Sequence, residues 1–560
     1  MAIIGIDLGT TNSLAVCWKN DKPVLIRNSF NETSTPSVVG YDKENETYVV
    51  GAVANERLIT HPNDTISEFK RSMGQNMEFM LNNRKETSVS LSSYVLKKIK
   101  EDAEAFLGEE VDEAIISVPA YFNDKARSDT KLAAELAGLR VDRLINEPSA
   151  AALSYLYSNG FEDQTLLIID FGGGTLDVSL VETFDNIIEI LAVAGNNELG
   201  GKDFNEVIAE YFCKQSGLVM DALRLQDKAL IYKTAEKAKI QLSKSMSTIM
   251  TATIEGKDYS VSIDNNKLIK LCSNIFSKIK APIDKVLRDA RTTIDDIDDI
   301  VLVGGSSKMP TVRAFIKEVT GKAPNTNVNP DTAIALGAGI FAEIKNRNMD
   351  LKDIIMTDIC PFSLGVATCD SMTGDIITEF IINRNSSLPC TRQKTFYTMS
   401  PMQESIRIQI YQGESIVVSK NLCLGELMID LAHPTKEKQM ITIKMSYDIN
   451  GILIVDVEDK DGHIGDKVFM SKDTDLSPEE INKMRERIKA ASILGREEEK
   501  NALLIARAER VFEESLEQER QIILAFLMQF KASLTSNSLK AINEAYTKLK
   551  DLLDNIEGRN

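Results

Sequence analysis

The sequence lacks the signals of several common protein classes. Its seven cysteines, which lie between Cys17 and Cys423, include no C-x-x-C pair. This spacing excludes a zinc site and a disulfide framework and indicates reduced thiols. The longest apolar stretches, such as Ala333 to Ala342, are too short and too rich in glycine to span a bilayer. Because Met1 to Leu8 already follow a strand pattern, we expect no signal peptide and a cytoplasmic protein without membrane contact.

Basic residues are also fewer than acidic ones. The chain has 65 Lys and Arg against 83 Asp and Glu, which gives a net charge of -18. Because binding to a phosphate backbone needs a basic surface, we expect no nucleic-acid partner. An acidic surface would instead help to keep soluble a protein that handles sticky surfaces. A chain of 560 residues is too long for one hydrophobic core, so two to four domains are expected.

Two familiar nucleotide-binding motifs are missing. No G-x-G-x-x-G follows a strand pattern, which argues against a dinucleotide fold. The closest approach to a Walker A loop is Asn196 to Asp203, which lacks the first glycine and ends in Lys-Asp.

The chain does contain an internal near-repeat. Ile3 to Thr11 reads IIGIDLGTT, and Leu167 to Thr175 reads LIIDFGGGT. Each copy is a short apolar strand that ends in an aspartate and runs into a Gly/Thr turn, after which the apolar pattern resumes. This pattern predicts two β-hairpins, and two copies so far apart predict two similar lobes that face a shared cleft.

The residues of this repeat suit phosphate chemistry. Backbone amides and hydroxyls of a Gly/Thr turn can contact phosphate oxygens, and an adjacent carboxylate can hold a hydrated magnesium ion. A single Asp-x-Gly is more often an ordinary turn aspartate. Two matched copies favour a nucleotide site at Asp7 and Asp170.

The rest of the chain divides by pattern. Residues 1–348 alternate helices and strands, as an α/β nucleotide-binding domain does. Residues 349–361 form an apolar linker without Gly or Ser, and we expect it to dock on another part of the molecule. Residues 362–475 have the period of two of an antiparallel β-domain, and 476–560 have the helical spacing of an amphipathic tail that begins near Pro478.

Several long motifs then resemble those of one family. The segments Ile4 to Ser13, Ile169 to Thr175 and Val303 to Pro310 closely resemble signatures of the seventy-kilodalton heat-shock chaperones, the DnaK-like family. Val118 to Asp124 and Ile145 to Ala152 match as well. The likeness covers Met1 to about Lys531, and the reduced length is similar to that of the short HscC-like branch.

The resemblance implies a fold and an activity. The fold is multidomain, α/β + β + α: an actin-like (duplicated ribonuclease H-like) ATPase domain, an antiparallel β-sandwich that binds peptides, and a shortened helical lid. The activity is slow hydrolysis of ATP to ADP and phosphate, which switches the affinity for extended apolar segments of unfolded clients. The cofactors implied are ATP or ADP and Mg²⁺, with K⁺ as a further candidate, and the family's roles in protein folding and the stress response are expected.

The resemblance also implies roles for single residues. Asp7 and Asp170 would hold magnesium through water, and Lys70, Glu147, Asp170 and Thr175 would form the catalytic set. Lys70 would stabilise developing charge beside the attacking water, and Glu147 would act at that water or relay between lobes. The nucleotide-binding positions would be Gly9, Thr10, Thr11, Asn12, Gly172, Gly173, Gly174, Thr175, Gly200, Gly201, Glu236, Lys239, Ser243, Gly304, Gly305, Ser306, Lys308 and Asp331.

Lys308 stands where the family commonly has an arginine that stacks on adenine. Lysine lacks a planar guanidinium, so we expect somewhat weaker nucleotide affinity. By residue pattern alone, Lys70 would be a solvated lysine, and Glu236 and Lys239 an ion pair on a helix surface.

In the β-domain the positions implied for peptide binding are Val366, Thr368, Phe396, Thr398, Ile406, Ile408 and Ile452, with an arch of Cys369 and Met399. Alternating apolar residues also build the core of any β-domain, and that interpretation stays open for each of them. The family commonly has Met and Ala at the two arch positions, so client preference is expected to differ. Pro119, Arg127, Arg143, Asn146 and Asp358 would serve the relay between domains and the contact with a J-domain co-chaperone.

Four departures from the family shape further expectations. Thr357 takes the last apolar place of the linker, so its docking should be weaker. The stretch from Ser243 to Lys267 is compressed to one hairpin, which predicts independence from a GrpE-type exchange factor. The hairpin from Glu182 to Leu191 is short and less acidic, which predicts a dedicated J-domain partner. The tail is too short for a full-length lid with its terminal bundle, and we expect a monomer that retains clients less firmly.

Three other classes remain as alternatives. Sugar kinases and actin-like filament proteins share the duplicated cleft, but neither has reason to append a β-domain and a helical tail. A peptide-binding module without enzyme activity would not need Lys70, Asp170 and Thr175. These residues favour the chaperone.

Overall fold

The computed structural model describes residues 2–184, 186–196, 198–346, 354–370, 374–431, 435–448, 452–460, 462–469, 478–515, 517–536 and 538–558. Residues 349–353 of the predicted linker lie outside these ranges.

The first lobe is built on a sheet of strand order β11-β10-β1-β2-β3, in which β4 also pairs with β2. Its elements are β1 (Ala2–Asp7), β2 (Asn12–Lys19), β3 (Lys22–Leu25), β4 (Ser34–Pro36), β5 (Val38–Asp42), β6 (Thr47–Val50), α1 (Ala52–Thr60), β7 (Thr65–Ser67), β8 (Glu78–Leu81), β9 (Arg84–Thr87), α2 (Ser88–Leu107), β10 (Val111–Val118), α3 (Asp124–Leu136) and β11 (Leu144–Asn146). Helix α2 begins with a capping box between Thr87 and Ser90 and ends at Gly108, whose φ is 77°.

The second lobe is built on a five-stranded sheet of order β17-β12-β13-β14-β18. Its elements are α4 (Glu147–Asn159), β12 (Gln164–Phe171), β13 (Leu176–Phe184), β14 (Ile187–Asn196), α5 (Gly201–Ser216), α6 (Leu225–Leu242), β15 (Ser247–Ile254), β16 (Lys257–Asp264), α7 (Asn265–Leu271), α8 (Ser273–Asp289), β17 (Asp299–Val303), α9 (Pro310–Thr320), α10 (Ala333–Lys345) and β18 (Ile355–Thr357). The predicted single hairpin between Ser243 and Lys267 is β15–β16.

The predicted repeat is confirmed at the level of strand pairing. In the first lobe β1 pairs antiparallel with β2, with Asp7 opposite Leu14, and parallel with β10 on its other side. In the second lobe β12 pairs antiparallel with β13, with Asp170 opposite Asp177, and parallel with β17. Asp7 is therefore the last residue of an inner strand and Asp170 the last but one, and each lies beside the Gly/Thr turn of a hairpin.

Helices α4 and α10 join the two lobes. They pack against each other, and their buried side chains share one apolar cluster with Ile115 of β10, Ile168 of β12 and Val301 of β17. The crossing is close because α10 has a glycine there: a Cβ on Gly337 would lie 1.8 Å from the carbonyl oxygen of Ala150. The two hairpins are thus held at a fixed spacing.

The β-domain is a sandwich of two four-stranded antiparallel sheets, ordered β20-β19-β22-β23 and β21-β24-β25-β26. Its strands are β19 (Leu364–Cys369), β20 (Ile376–Ile382), β21 (Cys390–Tyr397), β22 (Ser405–Gln412), β23 (Leu422–Asp430), β24 (Met440–Tyr447), β25 (Leu453–Asp459) and β26 (Gly462–Phe469). One apolar cluster fills the space between the sheets, with Ile410, Met445 and Val455 fully buried.

The predicted docking of the linker has a defined partner. Strand β18 adds to the edge of the second lobe's sheet, parallel to β14, with Ile187 opposite Ile355 and Glu189 opposite Thr357. Because this pairing uses backbone groups, Thr357 takes part in it as readily as an apolar residue would.

The helical tail, residues 478–558, consists of α11 (Pro478–Ala490), α12 (Arg496–Glu514), α13 (Glu517–Leu534) and α14 (Leu539–Ile556). The last three pack as a bundle around buried Leu504, Phe530 and Leu549. This bundle corrects the expectation that the tail is too short to form one. In the described part of the chain, no helix combines the length and the apolar character that crossing a membrane requires.

Candidate functional site

The carboxylates of the two hairpins lie deep in the cleft between the lobes. Asp7 and Asp170 are 9% and 8% exposed, respectively. The hydroxyl of Ser117, in β10, donates to Asp7 Oδ1 at 3.0 Å. Residue Gly304, with φ of 80°, closes the other side of Asp170, since a Cβ there would lie 2.7 Å from Asp170 Oδ1. Both predicted magnesium positions are therefore fixed within the same cleft.

The predicted catalytic lysine is also buried here rather than solvated. Lys70 lies in a 3₁₀ turn, Phe69–Ser72, that follows β7. Its Nζ is 3.0 Å from Oε1 of Glu147, and both residues are buried. The ammonium also lies 5.7 Å from the centre of the Phe122 ring, which favours a cation. Glu147 is the first residue of α4, so the ion pair joins the two predicted catalytic residues across the cleft.

The electrostatics of the cleft are dominated by acid. Burial, with Glu147 nearby, raises the pKa of Asp7 to about 7. The same two causes raise the pKa of Asp177 to about 8 and hold that of Asp170 well above its usual range. Although burial opposes the charged form of Lys70, Glu147 and Asp7 raise its pKa. Four carboxyl groups thus share one ammonium.

A tightly packed cradle lies between the two hairpins and the first turn of α5. It is formed by glycine backbones and by hydroxyl groups. The Ser306 hydroxyl donates to the Gly172 carbonyl at 2.6 Å, and the Gly201 amide donates to the same carbonyl at 3.0 Å. A Cβ on Gly173 would lie 2.0 Å from Thr11 Oγ1. The Thr11 hydroxyl is buried without a hydrogen-bond partner. Thr10 and Thr175 line a smaller recess beside Lys70.

The residues predicted to hold the nucleoside lie around the same opening. Lys239 Nζ donates to the Gly201 carbonyl at 2.7 Å, and Ser243 Oγ donates to the Lys239 carbonyl at 3.4 Å. Glu236 pairs with Lys233 at 2.8 Å rather than with Lys239. Lys308 pairs with Asp331, and both are partly exposed. Of the remaining predicted positions, Gly9 and Asn12 lie together at the first hairpin, Gly200 packs against Gly174 of the second, and Gly305 lies beside Asp331.

A magnesium nucleotide fits these groups. Beside them, a cavity of about 420 Å³ between the lobes is lined by Thr10, Thr11, Asn205, Tyr232 and Glu236, among others. Both carboxylate oxygens of Asp177 are buried without a hydrogen-bond partner, as a site for a hydrated cation would leave them. Across the described ranges, no group of three or more His, Cys, Asp or Glu side chains is placed to hold a metal ion. The buried carboxyl groups and the Gly/Thr turns suit an ion held through water and phosphate oxygens.

Three of the residues predicted for the relay, the co-chaperone contact and the linker form a chain of hydrogen bonds that ends at the linker. Arg127 Nη2 donates to Asn146 Oδ1 at 2.7 Å, and Asn146 Nδ2 donates to Asp358 Oδ1 at 2.9 Å. Pro119 lines the recess beside Lys70. Arg143 does not join this chain; its guanidinium lies 4.9 Å from the centre of the Phe341 ring.

The sequence analysis missed two functional groups. Asp177 could have been found as a lone acid between the apolar Leu176 and Val178 of a strand. The second group joins the first lobe to the β-domain: the Tyr447 hydroxyl donates to Asp124 Oδ1, and the Asp124 amide donates to Gln412 Oε1 at 3.2 Å. No local signal reveals this second contact, because its members are more than 280 positions apart.

The predicted peptide-binding residues divide by burial. Val366 and Ile408 are 2% and 4% exposed and belong to the core of the sandwich. Phe396 and Ile406 are half-buried and pack against that core. The remaining five positions lie at or beside strand ends, with Met399 the most exposed at 70%: Thr368, Cys369, Thr398, Met399 and Ile452.

Comparison with protein families agrees with the cleft, the sandwich and the helical tail. The family model described as Hsp70 protein matches residues 3–559, nearly the whole chain. Members of this family are ATPases that bind ATP or ADP with Mg²⁺, and they typically work with J-domain co-chaperones. The chain therefore belongs to the Hsp70 family of chaperones, whose binding of unfolded substrates is regulated by ATP.

Proposed function

We propose that this protein hydrolyses ATP slowly and uses the hydrolysis to time its hold on extended apolar segments of client proteins. The observation that carries the proposal is the buried Lys70–Glu147 pair, which lies among Asp7, Asp170 and Asp177 and faces two Gly/Thr hairpins. A lysine that is buried among these carboxyl groups has a role in the cleft that a solvated surface lysine would not have.

The residues of the cleft divide the work. When bound, Mg-ATP supplies the phosphoanhydride that water cleaves. Asp7 and Asp170 would hold the hydrated ion, and Thr10, Thr11, Gly172, Gly173 and Thr175 would contact phosphates. Lys70 would stabilise the charge that develops on the transferred group.

Glu147 fixes the position of the Lys70 ammonium through their ion pair. Because α4 begins at Glu147 directly after Asn146, a shift of this carboxylate is passed to the Asn146–Asp358 bond and so to the linker. This short path supports coupling between hydrolysis and the β-domain.

We further propose that the β-domain binds clients at the edge formed by Phe396, Ile406, Thr398, Cys369 and Met399. Phe396 and Ile406 offer apolar surface that is only half-buried, whereas Val366 and Ile408 serve mainly as core. A dedicated J-domain partner, independence from a GrpE-type factor, a monomeric state and a cytoplasmic location remain predictions of the sequence.

The proposal is tested by the dissociation rate of a labelled apolar peptide, measured with and without ATP, while hydrolysis is followed in parallel. We expect ATP to accelerate peptide release and peptide to stimulate hydrolysis, since coupling between two sites is reciprocal in binding free energy. Peptide release at the same rate with and without ATP would overturn the coupling. Absence of ATP hydrolysis would overturn the enzyme activity.

A further inference from the structure

Helix α12 of the tail lies on the first lobe along α1. Ala506, Leu503 and Ala502 of the tail join an apolar cluster with Val53 and Ala54 of α1. At the end of this contact, Arg510 bonds the Glu56 carboxylate of α1 and is itself only 3% exposed. The contact therefore combines apolar packing with an ion pair, and it restricts the side chain of Arg510 to few conformations.

The end of the same helix also reaches the second lobe. Glu514 Oε2 accepts from Lys237 Nζ of α6 at 2.6 Å and from Arg510 Nη1 at 2.5 Å. One carboxylate of the tail thus connects a lysine of the second lobe to the arginine that is bound to the first lobe. A polar cavity of about 70 Å³ beside it is lined from all three parts, with Ile59 of α1, Arg224 of the second lobe and Arg520 of the tail.

Helix α14 holds this arrangement from behind. Arg510 Nη2 donates to Glu557 Oε1 at 2.6 Å, and Arg507 Nη2 donates to Asp554 Oδ1 at 2.5 Å. The guanidinium of Arg510 is planar and carries its donors in a fixed fork. With partners on α1, α12 and α14, it has one position in which all three bonds form.

Helices α1 and α6 are also the two sides of the nucleotide cleft. Leu58 and Ile59 of α1 line the opening from one lobe, and Tyr232 and Glu236 of α6 line it from the other. Lys237 is the next residue along α6. Separation of α1 and α6 would widen this opening, and the tail is bound to both helices.

We infer that the helical tail is a brace across the two lobes that lengthens the residence time of the bound nucleotide, with Glu514 as its positioning residue. The inference rests on the proposed nucleotide site and adds a role for the tail beyond client retention. It gives the chain an internal control on nucleotide release at the lobe edge.

The test is the release rate of a fluorescent ADP analogue from the full-length chain, measured by stopped flow at low salt. Lys237→Glu replaces the Lys237–Glu514 attraction by repulsion, and we expect release to accelerate about 2- to 5-fold, the range of an exposed ion pair. In 1 M salt, where charges are screened within about 3 Å, the difference should disappear.

Lys244→Glu is the matched control. Lys244 is exposed and lies two residues beyond α6 in the same lobe. Its substitution by glutamate changes the net charge by the same amount. Its release rate should equal that of the unmodified chain. Ala506→Glu, which places a charge in the apolar contact with α1, should accelerate release about tenfold or more because a buried unpaired charge is costly.

The two proposals fail in different ways. If the analogue binds and Lys237→Glu and Ala506→Glu release it at the unmodified rate, the brace is wrong and the nucleotide site stands. Equal acceleration by Lys244→Glu would also overturn the brace, since the effect would then follow net charge alone. If the unmodified chain binds no ADP analogue, the proposed function and the brace both fail.

Discussion

Two of the regions that hold buried charge in this molecule are balanced differently. In the cleft, the carboxyl groups of Asp7, Asp170, Asp177 and Glu147 share one ammonium, that of Lys70. With all groups ionised, that cluster carries three negative charges more than positive ones. Two oxygens of Asp177 have no hydrogen-bond partner at all.

The second region is the contact between α2 and α12. Lys98 Nζ lies 2.8 Å from Glu499 Oε2 and 3.2 Å from Asp102 Oδ1, and Arg496 Nε lies 3.7 Å from Asp102 Oδ1. Lys98, Asp102 and Glu499 are each 3% exposed or less. Here two positive and two negative groups cancel.

The difference separates a site for a ligand from a site for another part of the chain. Because burying charge is costly unless it is paired, an unbalanced cluster suits a charged partner from outside the chain. A balanced cluster needs no such partner. It fixes the position of the tail on the first lobe, and any change to one member exposes the others to the same cost.

Breaking the balanced cluster should have the largest effect. Lys98→Met leaves Asp102 and Glu499 buried without their shared cation, and we expect the free energy of unfolding to fall by about 3–5 kcal/mol. Equilibrium denaturation followed by the fluorescence of Trp18, the single tryptophan, would measure it.

The triple variant Lys98→Met, Asp102→Leu, Glu499→Leu removes the charges together and should recover most of that loss. A single variant within about 1 kcal/mol of the unmodified chain, the range of an exposed ion pair, would contradict the view that this cluster is desolvated.

Substitutions in the unbalanced cluster of the cleft should instead change the rate of ATP hydrolysis. Lys70→Met is expected to lower single-turnover hydrolysis of ATP by about 10²–10³-fold, the usual effect of removing one group that stabilises developing charge. Lys85→Met, at an exposed lysine of β9, is the control and should leave the rate unchanged. Adding Glu147→Gln to Lys70→Met returns the net charge of the cluster to its original value but should not restore hydrolysis, and recovery would contradict the proposed role of Lys70.

The unbalanced cluster should also make stability depend on pH. The raised pKa values of Asp7, about 7, and Asp177, about 8, mean that the folded chain keeps protons that the unfolded chain releases near pH 3.8. These groups therefore make the free energy of unfolding fall as pH rises from about 4 to 8. Between pH 6 and 8, Asp7 alone should account for roughly 1 kcal/mol of this fall.

Unfolding midpoints of the nucleotide-free protein, taken across this range, would measure the slope. Asp177→Asn should flatten it, whereas Asp295→Asn, at an exposed aspartate, should not. A slope that Asp177→Asn leaves unchanged would show that this carboxyl group is ionised throughout the range.

The smallest effect is expected where the first lobe meets the β-domain. Tyr447→Phe removes one hydroxyl from buried Asp124 and should weaken this contact by about 1 kcal/mol. The readout is the acceleration of peptide release by ATP, which should decrease by up to about fivefold. Tyr397→Phe, at a residue that is 67% exposed, is the matched control; an equal effect there would remove Tyr447 from the coupling.

The sequence was most informative where function depends on short segments. The hairpins at Asp7 and Asp170, their facing arrangement and the apolar linker were all predicted, because strand period, turn residues and repetition are local properties. A role for Lys70 was proposed only through the family resemblance, and its burial was not predicted, since its neighbours in sequence do not show that Glu147 and Phe122 lie beside it.

Contacts between residues that lie far apart in the sequence were not predicted. Lys98 and Glu499 lie 401 positions apart, and each reads as an ordinary charge on an exposed helix face. The bundle of α12, α13 and α14 was missed because an amphipathic pattern shows that a helix has a partner but not which one. Asp177 was missed because one acid in an apolar strand is a weak signal.

Strand β18 also covers a sheet edge to which other extended chains could bind. When the linker leaves β14, that strand becomes a bare sheet edge with unpaired amides and carbonyls and with Ile188 on it. Such an edge accepts any extended chain, which is the conformation in which clients are held. A linker that leaves β14 would therefore uncover this edge, and on its return it would compete with other extended segments for the same strand.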